Sequence, residues 1–244
     1  FGLYLVRTSA LLLATPLLGN GAAFSGYKVA LVALVSFALF SATGAPLEGA
    51  IGGVDYAFLC MREALIGLSL AFVLQAVVIA IRVGGELVGH EMAFNLSGQV
   101  DPTTGISSPL ITRFYEAFFF LGLLAVNGHH LVLRALSDTF FAAPVGTVDF
   151  SDGAVPYLLD FFGELFRAGV TFAAPVLVVL MLVSILIGLL ARAVPQMNVL
   201  EIGFTLRISA ALLAMYLFAP LLEPALRVLY ERLDSGLAGF LEVL

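Results

Sequence analysis

The stretch AGVTFAAPVLVVLMLVSILIGLLA, residues 168–191, is a run of 24 residues without a charged side chain. About 20 apolar residues are enough for an α-helix to cross the hydrocarbon core of a bilayer. Five other uncharged runs are shorter or broken, and they cover residues 8–27, 29–47, 64–81, 117–133 and 208–222. The pattern predicts an all-α protein of long apolar helices with six candidate spans.

The amino-acid composition excludes the common classes of soluble protein. Hydrophobic residues make up 61% of the chain and charged residues 11%, whereas an ordinary soluble domain has about 25% charged residues. The 17 acidic and 11 basic side chains give a net charge of −6, so the chain lacks the basic face that nucleic acids require. Its single cysteine, Cys60, excludes a disulfide framework and a cysteine-based zinc site. We therefore expect a membrane protein that contacts lipid and no nucleic acid.

The basic residues do not orient the six runs in a bilayer. Loops on the cytoplasmic side of membrane proteins normally carry an excess of Lys and Arg. If all six runs span, five basic residues fall on one side and six on the other. Either some runs do not span, or protein partners rather than lipid surround parts of the chain.

Charged residues recur at helical spacing beside the apolar runs. Arg82, Glu86 and His90 are four residues apart, and residues at this spacing share one face of a helix. One interpretation is that such faces are solvated. The other is that they pair between helices or subunits, or line an aqueous channel, because ionisable groups are costly in lipid. The candidate inter-helix or inter-subunit residues are Arg82, Glu86, Arg113, Glu116 and Gln196.

Motifs for catalysis and metal binding are incomplete in this sequence. His90-Glu91 begins like the zinc motif H-E-x-x-H, but Phe94 stands where the second histidine belongs. His129 and His130 are adjacent, so on a helix they point about 100° apart. The sequence has neither a G-x-S-x-G elbow nor a glycine-rich phosphate loop. We expect no enzymatic activity, no catalytic residue, no cofactor and no bound metal.

Several short motifs, taken in order along the chain, resemble the FliR family. They are GELVG at 85–89, MAF at 92–94, DP at 101–102, Pro109, NGH at 127–129, DTF at 138–140, PVG at 144–146, AVPQMNV at 193–199 and IGF at 202–204. The resemblance covers nearly the whole chain and departs from the family at Ala93, where a glycine is usual. FliR proteins are subunits of the export gate of the flagellar type III secretion apparatus, and the SctT proteins of injectisomes are their relatives.

The resemblance implies a set of partners and a division of the chain. Such subunits assemble with FliP-like and FliQ-like subunits into a helical gate that is largely raised out of the bilayer. An FlhB-like export switch protein and unfolded export substrates complete the list of partners. Residues 1–155 would be a FliP-like part, and residues 156–244 a FliQ-like hairpin that turns near Pro195-Gln196-Met197-Asn198. The implied location is the bacterial inner membrane at the flagellar basal body.

The resemblance also implies a role for a polar segment between two apolar helices. Residues 99–113 would project into the export channel and plug it. The candidate plug residues are Asp101, Pro102, Thr103, Thr104, Gly105, Ile106, Ser107 and Ser108. By composition alone the segment is a connecting turn, because Asp-Pro and Gly are typical of turns.

Three other functions are weighed against a flagellar gate subunit. An injectisome subunit of the SctT type would share the same motifs. A small solute transporter would suit the composition, but it should show helix breaks at matched positions, and Gln75 and Pro175 do not match. An intramembrane hydrolase would need a nucleophile and a base, and the sequence offers no such pair.

Overall fold

The computed structural model describes residues 1–15, 25–44, 52–92, 110–145, 153–194, 196 and 198–243. The helices in these ranges are α1 (Gly2–Ala14), α2 (Ser25–Thr43), α3 (Gly53–Glu91), α4 (Leu110–Ala125), α5 (Gly128–Ala142), α6 (Ala154–Ala193) and α7 (Val199–Val243). The described residues contain no strand, and the predicted all-α fold is confirmed.

Three helices are much longer than the uncharged runs that they contain. Helices α3, α6 and α7 have 39, 40 and 45 residues, which corresponds to roughly 58–68 Å at the usual helical rise. The run at residues 208–222 is therefore the middle of a long helix and not a short helix of its own. The helix continues beyond residue 222 because its next charged residues, Glu223 and Arg227, lie on an exposed face.

Of the two alternatives left open for the six candidate runs, the described residues favour the one in which some runs do not span. Four helices, α2, α3, α6 and α7, are long and apolar enough to cross a membrane, or five if α4 and α5 count as one span. Several basic residues that the six-span interpretation placed in loops lie inside helices, namely Lys28, Arg82, Arg113 and Arg207. They are therefore not loop charges of the kind that orients membrane proteins.

Two helix breaks are present, one inside the broken run at residues 117–133 and one at the predicted turn near residues 195–198. Helix α4 ends before Asn127, whose φ of 57° lies in the left-handed region, which an α-helix does not use. Helix α6 ends at Ala193 and α7 begins at Val199, because the residue before a proline is biased away from the helical region. Pro195 and Met197 themselves lie outside the described residues.

The chain divides into two compact units that interleave along the sequence. The first unit contains Phe1–Val77, Asn127–Gly163 and Glu231–Leu244, and the second contains Val78–Val126 and Glu164–Tyr230. Each unit has its own buried apolar residues: Leu11, Ile66, Leu70, Leu136 and Phe240 in the first, and Val88, Phe119, Leu180, Ala211 and Leu229 in the second. The division at residue 155 rests on likeness to two other proteins, and it stays a prediction.

Candidate functional site

Most of the segment predicted to plug a channel, residues 99–113, lies outside the described residues, and its last four residues, 110–113, form the first turn of α4 instead of a loop. All eight candidate plug residues, 101–108, fall in the range 93–109 that the structure leaves undescribed. On its two sides, Met92 is fully buried just after α3, whereas Leu110 is exposed at the start of α4. The site can be built from the helices that carry the loop, and the plug role stays a prediction.

An ion pair joins the two helices that flank the loop. Nε of Arg82 on α3 donates a hydrogen bond of 2.7 Å to Oε1 of Glu116 on α4. The two side chains are 34% and 20% exposed, so water screens the attraction between them. Such exposed pairs typically stabilise a protein by about 0–1 kcal/mol. The pair therefore helps to align α4 along α3, but it contributes little to the free energy that keeps the two helices packed together.

Closer to the loop, a glycine brings α3 and α4 together. A methyl group at Gly85 would lie 2.7 Å from Cα of Thr112, far inside the ~3.5–4.0 Å at which carbon atoms pack. Gly85 and Thr112 are both buried. A side chain at position 85 would push α4 away from α3, so the absence of a Cβ is what this contact requires.

The neighbouring glycine packs against a third helix. A methyl group at Gly84 would lie 2.9 Å from the carbonyl oxygen of Gly169 on α6. From the other side, a methyl group at Gly169 would meet the backbone carbonyl of Ala80 on α3. Small residues at helix crossings are typical of packing inside membranes, where close backbone approach replaces the hydrophobic effect. We call Ala80, Gly84, Gly85, Thr112 and Gly169 the glycine junction; all five belong to the second unit.

The other predicted contact residues lie on the surface. Glu86 and Arg113 are exposed on α3 and α4, and Gln196 is exposed between α6 and α7. The structure thus brings Arg82 and Glu116 together and leaves these three side chains open to other molecules. Within the described ranges, no group of three or more His, Cys, Asp or Glu side chains could hold a metal ion.

Sequence reasoning missed a buried polar cluster in the first unit. Arg7 of α1 is fully buried, and its Nε donates a 2.6 Å hydrogen bond to Oε2 of Glu63 on α3. Its Nη1 donates to the carbonyl oxygen of Thr139 at 2.8 Å and to the Thr139 hydroxyl at 3.2 Å, and its Nη2 donates to the carbonyl oxygen of Ala143 at 3.0 Å. The guanidinium carbon also lies 4.3 Å from the ring centre of Phe140.

This cluster caps the C-terminal end of α5. The last carbonyl groups of a helix have no partner within it, and the partial negative charge there attracts a cation. Burial lowers the pKa of the Arg7 guanidinium from its ordinary value, while the Glu63 carboxylate counteracts the shift. The sequence signal was a single arginine in the apolar helix α1 and a glutamate next to Arg62 in the apolar helix α3, but nothing in their spacing pairs residues 56 positions apart.

Known proteins resemble this chain along most of its length. The family model described as bacterial export proteins, family 1, matches residues 1–233. The flagellar biosynthetic protein FliR of Bacillus subtilis (strain 168) is 30% identical over 214 residues, which cover 86% of this chain and 82% of that protein. FliR of Escherichia coli (strain K12) is 27% identical over 240 residues, 98% of this chain and 92% of that protein. The surface presentation of antigens protein SpaR of Shigella sonnei is 26% identical over 213 residues, with 86% and 80% covered.

Proposed function

Because the chain belongs to the bacterial export proteins, family 1, we propose that it is a subunit of the flagellar type III export gate. The observation that carries this function is the match of residues 1–233, together with FliR relatives that align over most of their own length. The chain is a multi-pass protein of the bacterial inner membrane, with four or five candidate spans in its described part. In this role it forms part of a protein-conducting channel, and we propose that it catalyses no reaction itself.

The exposed apolar surface supports assembly with protein partners. Large exposed apolar side chains occur on α6 from Val155 to Leu190, a length of about 53 Å at the usual helical rise. The hydrocarbon core of a bilayer is only ~30 Å thick. Ionisable residues such as Asp160 and Glu164 interrupt this surface, which lipid alone would not favour. FliP-like and FliQ-like subunits are the partners that we propose to cover it, with an FlhB-like protein and export substrates acting on the same gate.

The glycine junction supports the role proposed for the loop. A plug must keep its position in a channel while its tip moves aside, so it needs a rigid base. The junction supplies such a base, since α3 meets α4 at Gly85 and α6 at Gly84 without intervening side chains. We propose that this base holds the part of the predicted plug that precedes α4, residues 99–109, in the channel entrance. The polar residues of the loop would remain solvated there, and Ile106 would seal against a ring of partner side chains.

A second candidate function is a subunit of a virulence injectisome. It is favoured by the similarity to SpaR of Shigella sonnei at 26% identity. Deleting the gene in its own bacterium separates the two functions. Loss of flagellar filaments and motility is expected for the flagellar gate, whereas loss of injectisome secretion with normal motility would assign the chain to the virulence system.

Copurification tests the proposed gate itself. The chain, carrying an affinity tag, is expressed with and without the FliP-like and FliQ-like proteins of the same bacterium. We expect one discrete complex in mild detergent with the partners, and aggregated or degraded chain without them. A stable monodisperse monomer that recovers neither partner would refute the proposal.

A further inference from the structure

Two half-buried polar side chains, Ser184 on α6 and Arg207 on α7, lie at about the same height along the two facing helices of the hairpin. A methyl group at Gly203 on α7 would lie 3.4 Å from Cγ2 of Ile187 on α6, so these residues face each other. Ser184 precedes Ile187 by one helical turn and Arg207 follows Gly203 by one turn. In an antiparallel pair of helices such positions lie side by side.

Neither polar group finds a partner in the described part of the chain. Nε of Arg207 and Oγ of Ser184 are buried, and neither makes a hydrogen bond with any described residue. The nearest acid on the hairpin in sequence is Glu201, six residues before Arg207, which places it about 120° away around the helix. The Glu201 carboxylate instead accepts a 3.2 Å hydrogen bond from Nδ2 of Asn198.

Exposed apolar side chains occur near Arg207 along α7 and near Ser184 along α6. They are Phe204 and Leu206 on α7 and Ile185 and Leu189 on α6. Arg207 is itself half-buried, so part of its side chain reaches this surface. An arginine surrounded by aromatic and aliphatic residues is a common centre of protein interfaces.

We propose that Arg207 anchors a partner subunit of the export gate by pairing with a carboxylate on the partner's helix. This inference rests on the proposed function and names the contact through which the α6–α7 hairpin docks. Charge complementarity carries it, because no described residue accepts a hydrogen bond from the buried Nε of Arg207, and a carboxylate on a partner would supply the missing acceptor and the opposite charge. Ser184 supplies a hydroxyl beside the same carboxylate.

A lipid phosphate is the other anion that could reach Arg207, and the geometry disfavours it. Arginines that bind headgroups extend a free side chain toward the membrane surface. Here Nε is buried in the seam, so the stem of the side chain is held between the helices. A carboxylate on a helix packed across the seam reaches the guanidinium without that extension.

The test uses the chain co-expressed with the FliP-like and FliQ-like subunits of its own bacterium. In Arg207→Met, the recovery of these subunits should fall by at least ~30-fold, because removing one member of a buried charge pair weakens binding by that order. Arg207→Lys should retain much of the recovery. The control is Arg192→Met, which removes the same charge from an exposed position near the end of α6 and should recover as much as the parent.

Two further measurements separate the anchor from a structural or lipid-binding role. Cysteines at Ile187 and Gly203 should form a disulfide equally well with and without Arg207→Met, since the contact lies between subunits. A photo-crosslinking amino acid at Phe204 should capture a protein subunit in native membranes, and Arg207→Met should abolish that product.

Several outcomes would overturn the anchor. They are parent-like recovery in Arg207→Met, a crosslink to phospholipid alone, or loss of the hairpin disulfide in Arg207→Met. If even the parent recovers no subunit, the proposed gate function fails together with the anchor. If the parent assembles and Arg207→Met assembles equally, only the anchor fails.

Discussion

The close approach of α6 to α3 predicts opposite effects for one substitution at two positions of the same helix. In Gly169→Ala, the new methyl group would meet the main chain of Ala80, lying 2.8 Å from its carbonyl carbon and 3.0 Å from its Cα. Backbone atoms cannot rotate away, so the helices must separate. In Gly188→Ala, the methyl group has no atom within 4 Å. The second variant is therefore the matched control.

The size of the difference follows from two opposing effects. Replacing glycine by alanine inside a helix stabilises it by about 1 kcal/mol at either position. Overpacking at Gly169 should cost about 1–3 kcal/mol, whereas Gly188 has no such cost. The propensity gain cancels when the two variants are compared, so they should differ by about 1–3 kcal/mol. For a chain of this size that corresponds to roughly 2–12 °C in melting temperature.

A buried thiol makes the comparison possible in native membranes with the partners present. The background carries Cys60→Ser, which removes the only cysteine, and Val176→Cys, at a position on α6 that is 4% exposed. Membranes are heated in steps, and a maleimide-linked polymer then labels thiols that have become accessible. Gly169→Ala should shift labelling to lower temperature than Gly188→Ala.

Equal labelling curves for the two variants would refute the close packing of α6 on α3. So would a higher midpoint for Gly169→Ala, since it would mean that the added methyl group is accommodated. In either case the glycine junction could not serve as a rigid base for the loop.

Three further predictions concern the buried Arg7 cluster, the predicted plug loop and the α6–α7 hairpin. Arg7→Met should destabilise the first unit by about 3–5 kcal/mol because the buried Glu63 carboxylate loses the Arg7 guanidinium, and adding Glu63→Leu should restore much of the loss in a thermal labelling assay whose reporter thiol is Leu70→Cys, at a position in the first unit that is 1% exposed; a double variant as unstable as the single one would contradict the pairing. Deleting residues 103–108 should leave the gate assembled but allow small ions to leak when it is overexpressed, measured as membrane conductance, and a deletion variant as tight as the parent would make the loop a connector. Cysteines at Ile187 and Gly203 should crosslink within one chain, and failure to do so under oxidising conditions would contradict the hairpin register.

The fold was predictable where one physical effect dominates. Long uncharged runs predicted helices because the backbone must satisfy its own hydrogen bonds in an apolar environment. The break at Asn127 and the turn after Ala193 were predictable from glycine, asparagine and proline chemistry. The helix lengths were not, because counting uncharged residues ends a helix at its first charge. In α3 the helix passes through Arg62, Glu63 and Arg82 without interruption.

The candidate site was predictable in its members but not in its geometry. Helical spacing drew attention to Arg82, yet only the structure shows that it bonds to Glu116 on the next helix. The glycines at 84 and 85 were visible in the GELVG region, but a glycine in a sequence does not say which backbone approaches it. Arg7 was missed because its partners lie far along the chain and two of them are backbone carbonyls.

Helices α3 and α4 are joined by two contacts of different rigidity, the Arg82–Glu116 ion pair and the close backbone approach at Gly85. The Arg82–Glu116 pair is partly hydrated and contributes at most about 1 kcal/mol, so thermal motion would open it often. The contact at Gly85 does not open and close in this way, because Cα of Thr112 fills the space that a side chain at position 85 would occupy. The two backbones already touch, and a closer approach of the helices would meet steep repulsion. Close packing at the junction therefore holds α3 and α4 at a fixed separation, and the ion pair selects their register. We propose that the segment between these helices uses this fixed support, because a reversible plug requires a base that stays in place.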